Sequence, residues 1–165
     1  MRLLYAAYGS NLHPDRLKQR VPTAKLEGTA LLENYTLTFD KRGVDGSGKA
    51  AVAAGGDGVH VALYSMDTAG KATLDRFEHI NIGYYDFTID LAGFGECFLY
   101  TATDAYSVQG LEPYCWYHAL VREGSQAHGF PDDYVRAIDA VPRREDPDIE
   151  RRDANWALVD SLRPF

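Results

Sequence analysis

Glu78 has the strongest claim to chemistry in this chain. On a helix turning about 100° per residue, Met66, Leu74 and Phe77 form one apolar stripe. Glu78 lies only about 40° from Leu74 on the same wheel, and Arg76 points away. A carboxylate at the edge of a core-facing stripe is desolvated, and desolvation favours its neutral form. A glutamate tuned in that direction can take up and release a proton near neutral pH, as a general acid/base must. The second candidate is Tyr8-Gly9-Ser10-Asn11-Leu12, where a short apolar strand breaks into a turn before a helix. Such a break aims successive backbone N–H groups into one concavity, which suits a carboxylate or an oxyanion. Taken singly, each feature also fits a plainer role, a helix-end Glu and an ordinary strand-to-helix turn.

Other arrangements fail on mechanism. Gly43-Val44-Asp45-Gly46-Ser47-Gly48-Lys49-Ala50 nearly spells a phosphate-binding loop. Ala50, however, stands where a hydroxyl must ligate Mg²⁺, and the following residues read as a strand rather than a helix. A glycine-rich hairpin is the better reading. His13, His60, His79, His118 and His128 include no pair spaced to share a helical face around a metal. Ser10 lacks the G-x-S-x-G surroundings of a nucleophilic serine. Cys97 and Cys115 form no CxxC pattern and read as two buried free thiols. No metal site is expected.

The elements that must position these residues alternate between strands and a few helices. Leu3 to Tyr8 reads as a buried strand, and Pro14 opens a short helix with Leu17 and Val21 on one face. Residues 26–32, 35–39, 50–54 and 59–64 read as strands, with turns at Glu33-Asn34 and at Gly55 to Gly58. Asp67 or Thr68 caps a helix through Glu78. Residues 85–91 and 96–103 form a strand pair around Gly93-Phe94-Gly95. Helices follow at 113–126 and 131–140. Nine of the twelve residues from Pro142 to Asp153 are charged, so 142–153 is expected to be a solvated connection before a short C-terminal helix around Trp156. Strands first and helices last argue for an α+β fold with a mostly antiparallel, barrel-like mixed sheet and packed helices. Residues 1–165 read as one domain, a length that buries enough surface to fold without disulfides.

With 17 basic against 24 acidic side chains the chain carries a net charge of −7. Nucleic acid and anionic membranes, which demand a basic face, are therefore not expected partners. No apolar stretch approaches the roughly 20 residues of a membrane span, and the N-terminus has no secretory pattern. The expectation is a cytoplasmic protein, monomeric by default although a dimer is compatible.

Three segments together resemble the gamma-glutamylcyclotransferase (AIG2-like) family. They are Tyr8-Gly9-Ser10-Asn11-Leu12; Leu74-Asp75-Arg76-Phe77-Glu78 with Gly83-Tyr84-Tyr85; and Gly129-Phe130-Pro131-Asp132-Asp133-Tyr134. They run in family order over residues 5 to 134. The resemblance implies the gamma-glutamylcyclotransferase-like fold, a small gamma-glutamyl substrate and Glu78 as the catalytic carboxylate. It also implies that Tyr8, Gly9, Ser10, Asn11 and Leu12 line the gamma-glutamyl pocket, largely through backbone N–H groups, with Tyr85 and Tyr114 flanking it. His79 departs from the family, many of whose members have Gly there. The Tyr114-Cys115-Trp116-Tyr117 cluster is a second departure, on the leaving-group side.

The implied reaction needs neither a cofactor nor an enzyme nucleophile. The substrate's own α-amine closes on the side-chain carbonyl to give 5-oxoproline and expels the amine. A different class of function, a non-catalytic module that binds a small ligand on the same fold, would bind without forming 5-oxoproline.

Overall fold

The computed structural model describes residues 1–164; Phe165, the last position of the domain expected over 1–165, lies outside the described residues. The elements run β1 (Arg2–Ala7), α1 (Pro14–Arg20), β2 (Lys25–Leu32), β3 (Tyr35–Arg42), β4 (Gly48–Ala54), β5 (Val59–Asp67) and α2 (Thr68–Phe77). Then come β6 (Tyr84–Leu91), β7 (Gly95–Ala102), a 3₁₀ turn at Asp104–Tyr106, α3 (Cys115–Ala127), α4 (Asp132–Asp139) and α5 (Ile149–Ser161).

Five strands form one sheet in the order β2-β5-β1-β7-β6, and β3 pairs with β4 in a separate ribbon. Every pairing is antiparallel except β1 beside β7, where Tyr5 stands opposite Phe98 in parallel register. The α+β class and mixed sheet are as the sequence predicts. The sheet is curled rather than closed, with free edges at β2 and β6. The curl nevertheless brings Phe94, in the β6–β7 turn, to 3.0 Å from where a Cβ on Gly28 of β2 would stand. Thr101 fastens the ribbon to the sheet: its Oγ1 accepts from Val52 N at 3.2 Å and donates to Val52 O at 2.9 Å.

The core follows from the strand patterns. β5 lies between two partners and is a nearly unbroken buried run from Val59 to Met66, as an inner strand covered on both faces must be. Leu12, Leu17 and Val21 seat α1 and its entry loop on that core, and Leu74 seats α2. The apolar stripe proposed around Glu78 is corrected here. Asp67 caps α2 by accepting from Gly70 N at 2.7 Å, so Met66 belongs to β5 and never joins the helix. Phe77 is 48% exposed. Leu74 alone is the buried anchor.

Two other expectations need adjustment. Residues 149–153 are not connection but the first turns of α5, because Asp148 caps that helix by accepting from Arg151 N at 3.0 Å. Cys97 is buried, whereas Cys115 at the start of α3 is half-buried; both are free. No described helix is long and apolar enough to cross a membrane.

Candidate functional site

Glu78 is the C-cap of α2 and is held there by a two-bond helix ending. His79 N donates to Arg76 O at 3.3 Å and Ile80 N to Asp75 O at 3.1 Å, the paired pattern that closes a helix when the next residue turns left-handed. That residue is His79, with φ +50°. The position explains why glycine suits it in the resembling family, since glycine alone enters this region without steric cost.

The Glu78 side chain is 14% exposed and turns toward the β1–α1 loop. Its Oε1 accepts from Asn11 Nδ2 at 3.0 Å and from Arg20 Nη1 at 3.3 Å. Arg20 Nη1 also donates to Asn11 Oδ1 at 3.2 Å, and Asn11 Nδ2 lies 3.3 Å from the Tyr5 hydroxyl. The guanidinium and the amide thus give this partly buried carboxylate its two hydrogen bonds. Sequence reasoning counted burial alone and missed Arg20. The Arg20 guanidinium also rests 5.0 Å above the Phe77 ring, so Phe77 is a wall of the site rather than part of the core.

Two cavities meet at this carboxylate. The inner one, about 20 Å³, is lined by Tyr5, Tyr8, Gly9, Ser10, Asn11, Ala50, Glu78, Tyr84, Tyr100 and Tyr117. The outer one, about 290 Å³, shares Ser10, Glu78, Tyr84 and Tyr117 with it. Beyond those it is walled by α1, the β3–β4 loop, Trp116 and several cations. A fit this tight needs small residues: a Cβ on Gly9 would stand 3.0 Å from Ala50 Cβ and 3.5 Å from the Tyr117 hydroxyl.

Ring hydroxyls tie the inner wall to the backbone. Tyr8 donates to Tyr100 O at 2.5 Å and Tyr84 to Ala50 O at 2.7 Å, while Tyr117 accepts from Ala50 N at 2.9 Å. The Tyr100 hydroxyl donates to Asp75 at 2.6 Å. Burial pushes the phenols of Tyr5, Tyr8, Tyr84 and Tyr117 well above their usual range, and the Glu78 charge pushes the same way. They are neutral hydrogen-bonding walls and not bases.

Of the residues singled out from the sequence, Glu78, Tyr8, Gly9, Ser10 and Asn11 come together around the inner cavity. Leu12, Tyr85 and Tyr114 do not. Leu12 is fully buried, and its carbonyl accepts from the Tyr64 hydroxyl at 2.5 Å, so it anchors the loop instead of facing a ligand. Tyr85 is 44% exposed. Strand alternation puts it on the Phe87 side of β6, ring centroids 6.0 Å apart, and turns Tyr84 to the cavity. Tyr114 lies behind the outer cavity, where its hydroxyl donates to Asp45 O at 3.0 Å and steadies the β3–β4 loop. Tyr5, Tyr84, Tyr100 and the cations of the outer wall were not found from sequence. The Tyr84 position was not legible from alternation, because Tyr85, not Tyr84, shares the parity of Phe87, Ile89 and Leu91.

An open mixed sheet with one partly buried carboxylate set between two small cavities defines a class of fold that carries its site on a loop and a helix end. Residues 5–119 match the family described as Gamma-glutamyl cyclotransferase, AIG2-like, and the chain belongs to that family. A Bos taurus protein named Gamma-glutamylcyclotransferase is 28% identical over 149 residues, covering 84% of this chain and 78% of its own length. A solved structure titled Gamma-glutamyl cyclotransferase superposes with a TM-score of 0.80 at 24% identity, covering 95% of this chain and 99% of the other. An uncharacterized protein from Homo sapiens superposes with a TM-score of 0.83 at 23% identity, covering 97% and 99%. At these identities the two structures establish the fold.

Proposed function

We propose that this chain is a cyclotransferase that converts a gamma-glutamyl amine or gamma-glutamyl amino acid to 5-oxoproline and the free amine, with Glu78 as general acid/base. Family membership supports cyclotransferase chemistry in general. The observation that carries the assignment to Glu78 is its place at the junction of the two cavities. The inner cavity, about 20 Å³, has room only for the tip of the gamma-glutamyl group, its carboxylate, which would take N–H groups of the Gly9–Asn11 turn. The rest of the group would lie toward the outer cavity. The outer cavity takes the leaving amine, and the scissile amide then lies beside the carboxylate.

The substrate's α-ammonium, with an unperturbed pKa of about 8, gives a proton to Glu78. The freed amine attacks the γ-carbonyl, the lactam C–N bond forms and the amide C–N bond breaks. Glu78 returns the proton to the departing nitrogen, takes the second proton that the attacking nitrogen sheds as it becomes the lactam N–H, and passes it to the freed amine, which leaves as an ammonium. Asn11 and Arg20 both bind Oε1, which assigns the proton to Oε2, the oxygen without a hydrogen bond among the described residues. Holding the chain in its cyclising conformation is the larger contribution, since well-oriented intramolecular reactions gain about 7–11 kcal/mol. Proton transfer adds about 10²–10⁴-fold.

The test is 5-oxoproline release from a panel of gamma-glutamyl amino acids and amines, with Glu78→Gln alongside. The wild type is expected to form product. The variant is expected to fold and bind yet lose at least about 10²-fold in turnover. Near-normal turnover in Glu78→Gln would remove Glu78 from the role, and saturable binding without product from any substrate would favour a binding module.

A further inference from the structure

The outer cavity is far more positive than the chain that contains it. Against 17 basic and 24 acidic side chains overall, its wall carries Arg16, Arg20, Lys41 and Lys49 but only Asp45 and Glu78. Two of those cations are matched, Arg20 with Glu78 at 3.3 Å and Lys49 with Asp45 at 2.9 Å. Lys41 and Arg16 form no ion pair among the described residues.

Both unmatched cations are held in place. Lys41 is 5% exposed, with its ammonium 4.3 Å from the Tyr84 ring centroid and 5.8 Å from that of Tyr106. Gly83 leaves room for it, because a Cβ there would stand 2.8 Å from Lys41 Nζ. Arg16 is half-buried: its Nη1 donates to Gln19 Oε1 at 3.5 Å on the exposed side, while its Nε is covered with no hydrogen-bond partner. Burial holds both groups below their usual proton affinity. A buried cation without a counter-ion, as Lys41 is, is costly, and with the half-buried Arg16 on the same cavity wall it marks a place for negative charge that arrives with the ligand. They approach from different elements, Arg16 from α1 and Lys41 from β3. The gamma-glutamyl carboxylate is already accounted for in the inner cavity.

We propose that the amine expelled by this chain carries two acidic groups, as an acidic α-amino acid does, one held by Lys41 and the other by Arg16. This inference rests on the cyclotransferase reading and names the leaving group for it. The bonds made and broken are those given above, and the two cations take no part in the proton transfer.

The experiment compares gamma-glutamyl-glutamate, gamma-glutamyl-alanine and gamma-glutamyl-ethylamide, which offer two, one and no acidic groups on the leaving side. A charge-assisted contact is worth about tenfold or more. The kcat/KM for gamma-glutamyl-glutamate is therefore expected to exceed that for the ethylamide by about 10²-fold, with the alanine compound between. Lys41→Met and Arg16→Met are each expected to cut that ratio about tenfold, and Lys41→Arg and Arg16→Lys to keep most of it. Equal values for the three compounds, or variants that lower all three in proportion, would overturn the proposal. Calorimetric titration of the same compounds onto Glu78→Gln separates the two levels. The expected binding order without product from the wild type would sustain the charged subsite and remove the cyclotransferase reading. Product without any charge preference would do the reverse.

Discussion

Arg20 Nη1 sits 3.3 Å from Glu78 Oε1, across 58 positions of sequence, and it is a large reason a charged Glu78 can stay in a cavity walled by tyrosines. The guanidinium side chain is 17% exposed, so solvent screens the pair only partly. Removing it leaves Asn11 as the remaining partner of Oε1 and frees the carboxylate to swing. On the proposed role of Glu78, Arg20→Gln is therefore expected to lower kcat by about tenfold or more, because a proton-transfer group that swings loses its alignment. Steady-state kinetics on Arg20→Gln and Arg20→Lys would check this. An unchanged kcat in the glutamine variant would show that Asn11 alone orients Glu78.

Gly124 on α3 governs the other side of the loop. A Cβ there would stand 2.6 Å from Leu12 Cβ, closer than real atoms tolerate, and a tight 3.2 Å from His13 N. Helix and loop would have to part. Gly124→Ala is expected to cost about 1–3 kcal/mol of stability despite the better helix propensity of alanine. It should also raise KM through the displaced Ser10 and Asn11. Chemical denaturation with parallel kinetics tests both, and a stabilised variant would mean that α3 shifts freely.

The contrast between Leu12 and Tyr84 shows what a sequence can carry. The strand that ends at Tyr8, the turn after it and the helix that ends at Glu78 are local features with local signals, and the structure places them as read. Gly129 and His79 are equally local. Gly129 closes α3 at φ +68° with the same two-bond ending that His79 gives α2, Gly129 N to Gln126 O at 3.0 Å and Phe130 N to Ser125 O at 3.1 Å. The Gly129–Tyr134 motif thus reads as helix-ending and aromatic packing. The missing part is what distant elements bring together: Arg20 from α1, Tyr100 from β7 and Lys41 from β3 share no periodicity with Glu78. Leu12 was misplaced because a motif's last residue need not face the ligand its first residues face.

His79 makes a stability prediction of the opposite sign. A non-glycine residue at φ +50° is held at a cost of about 1–2 kcal/mol, partly cancelled in a substitution by the freedom glycine adds to the unfolded chain. His79→Gly is expected to raise stability by about 0.5–1 kcal/mol, or roughly 1–4 °C in Tm for a domain of this size. His79→Ala is expected not to. Because His79 also lines the outer cavity, the glycine variant should change KM more than kcat. Equal stabilities for the two variants would show that the helix ending stores no strain.

Alkaline pH should unfold this protein cooperatively. Seven tyrosines, Tyr5, Tyr8, Tyr64, Tyr84, Tyr100, Tyr117 and Tyr134, have their phenols pushed up chiefly by burial. A group whose folded pKa exceeds its unfolded value contributes stability that is complete below the unfolded pKa, about 10 for tyrosine, and is lost as pH rises beyond it. Lys41 and Lys49 are pushed down by burial, so they act in the opposite sense as pH climbs toward their unfolded value. Burial pushes Arg16 down as well, while Lys71 and the thiols of Cys97 and Cys115 are pushed up and side with the tyrosines, so the seven tyrosines decide the direction. Each fully shifted tyrosine removes about 1.4 kcal/mol per pH unit above 10, so seven exceed a typical folding stability of about 5–15 kcal/mol within one to two units. Phenolate absorbance and far-UV circular dichroism, followed together from pH 8 to 12, are expected to change in one shared step above pH 10. Full tyrosine ionisation in a chain that keeps its circular dichroism would contradict the burial of these rings.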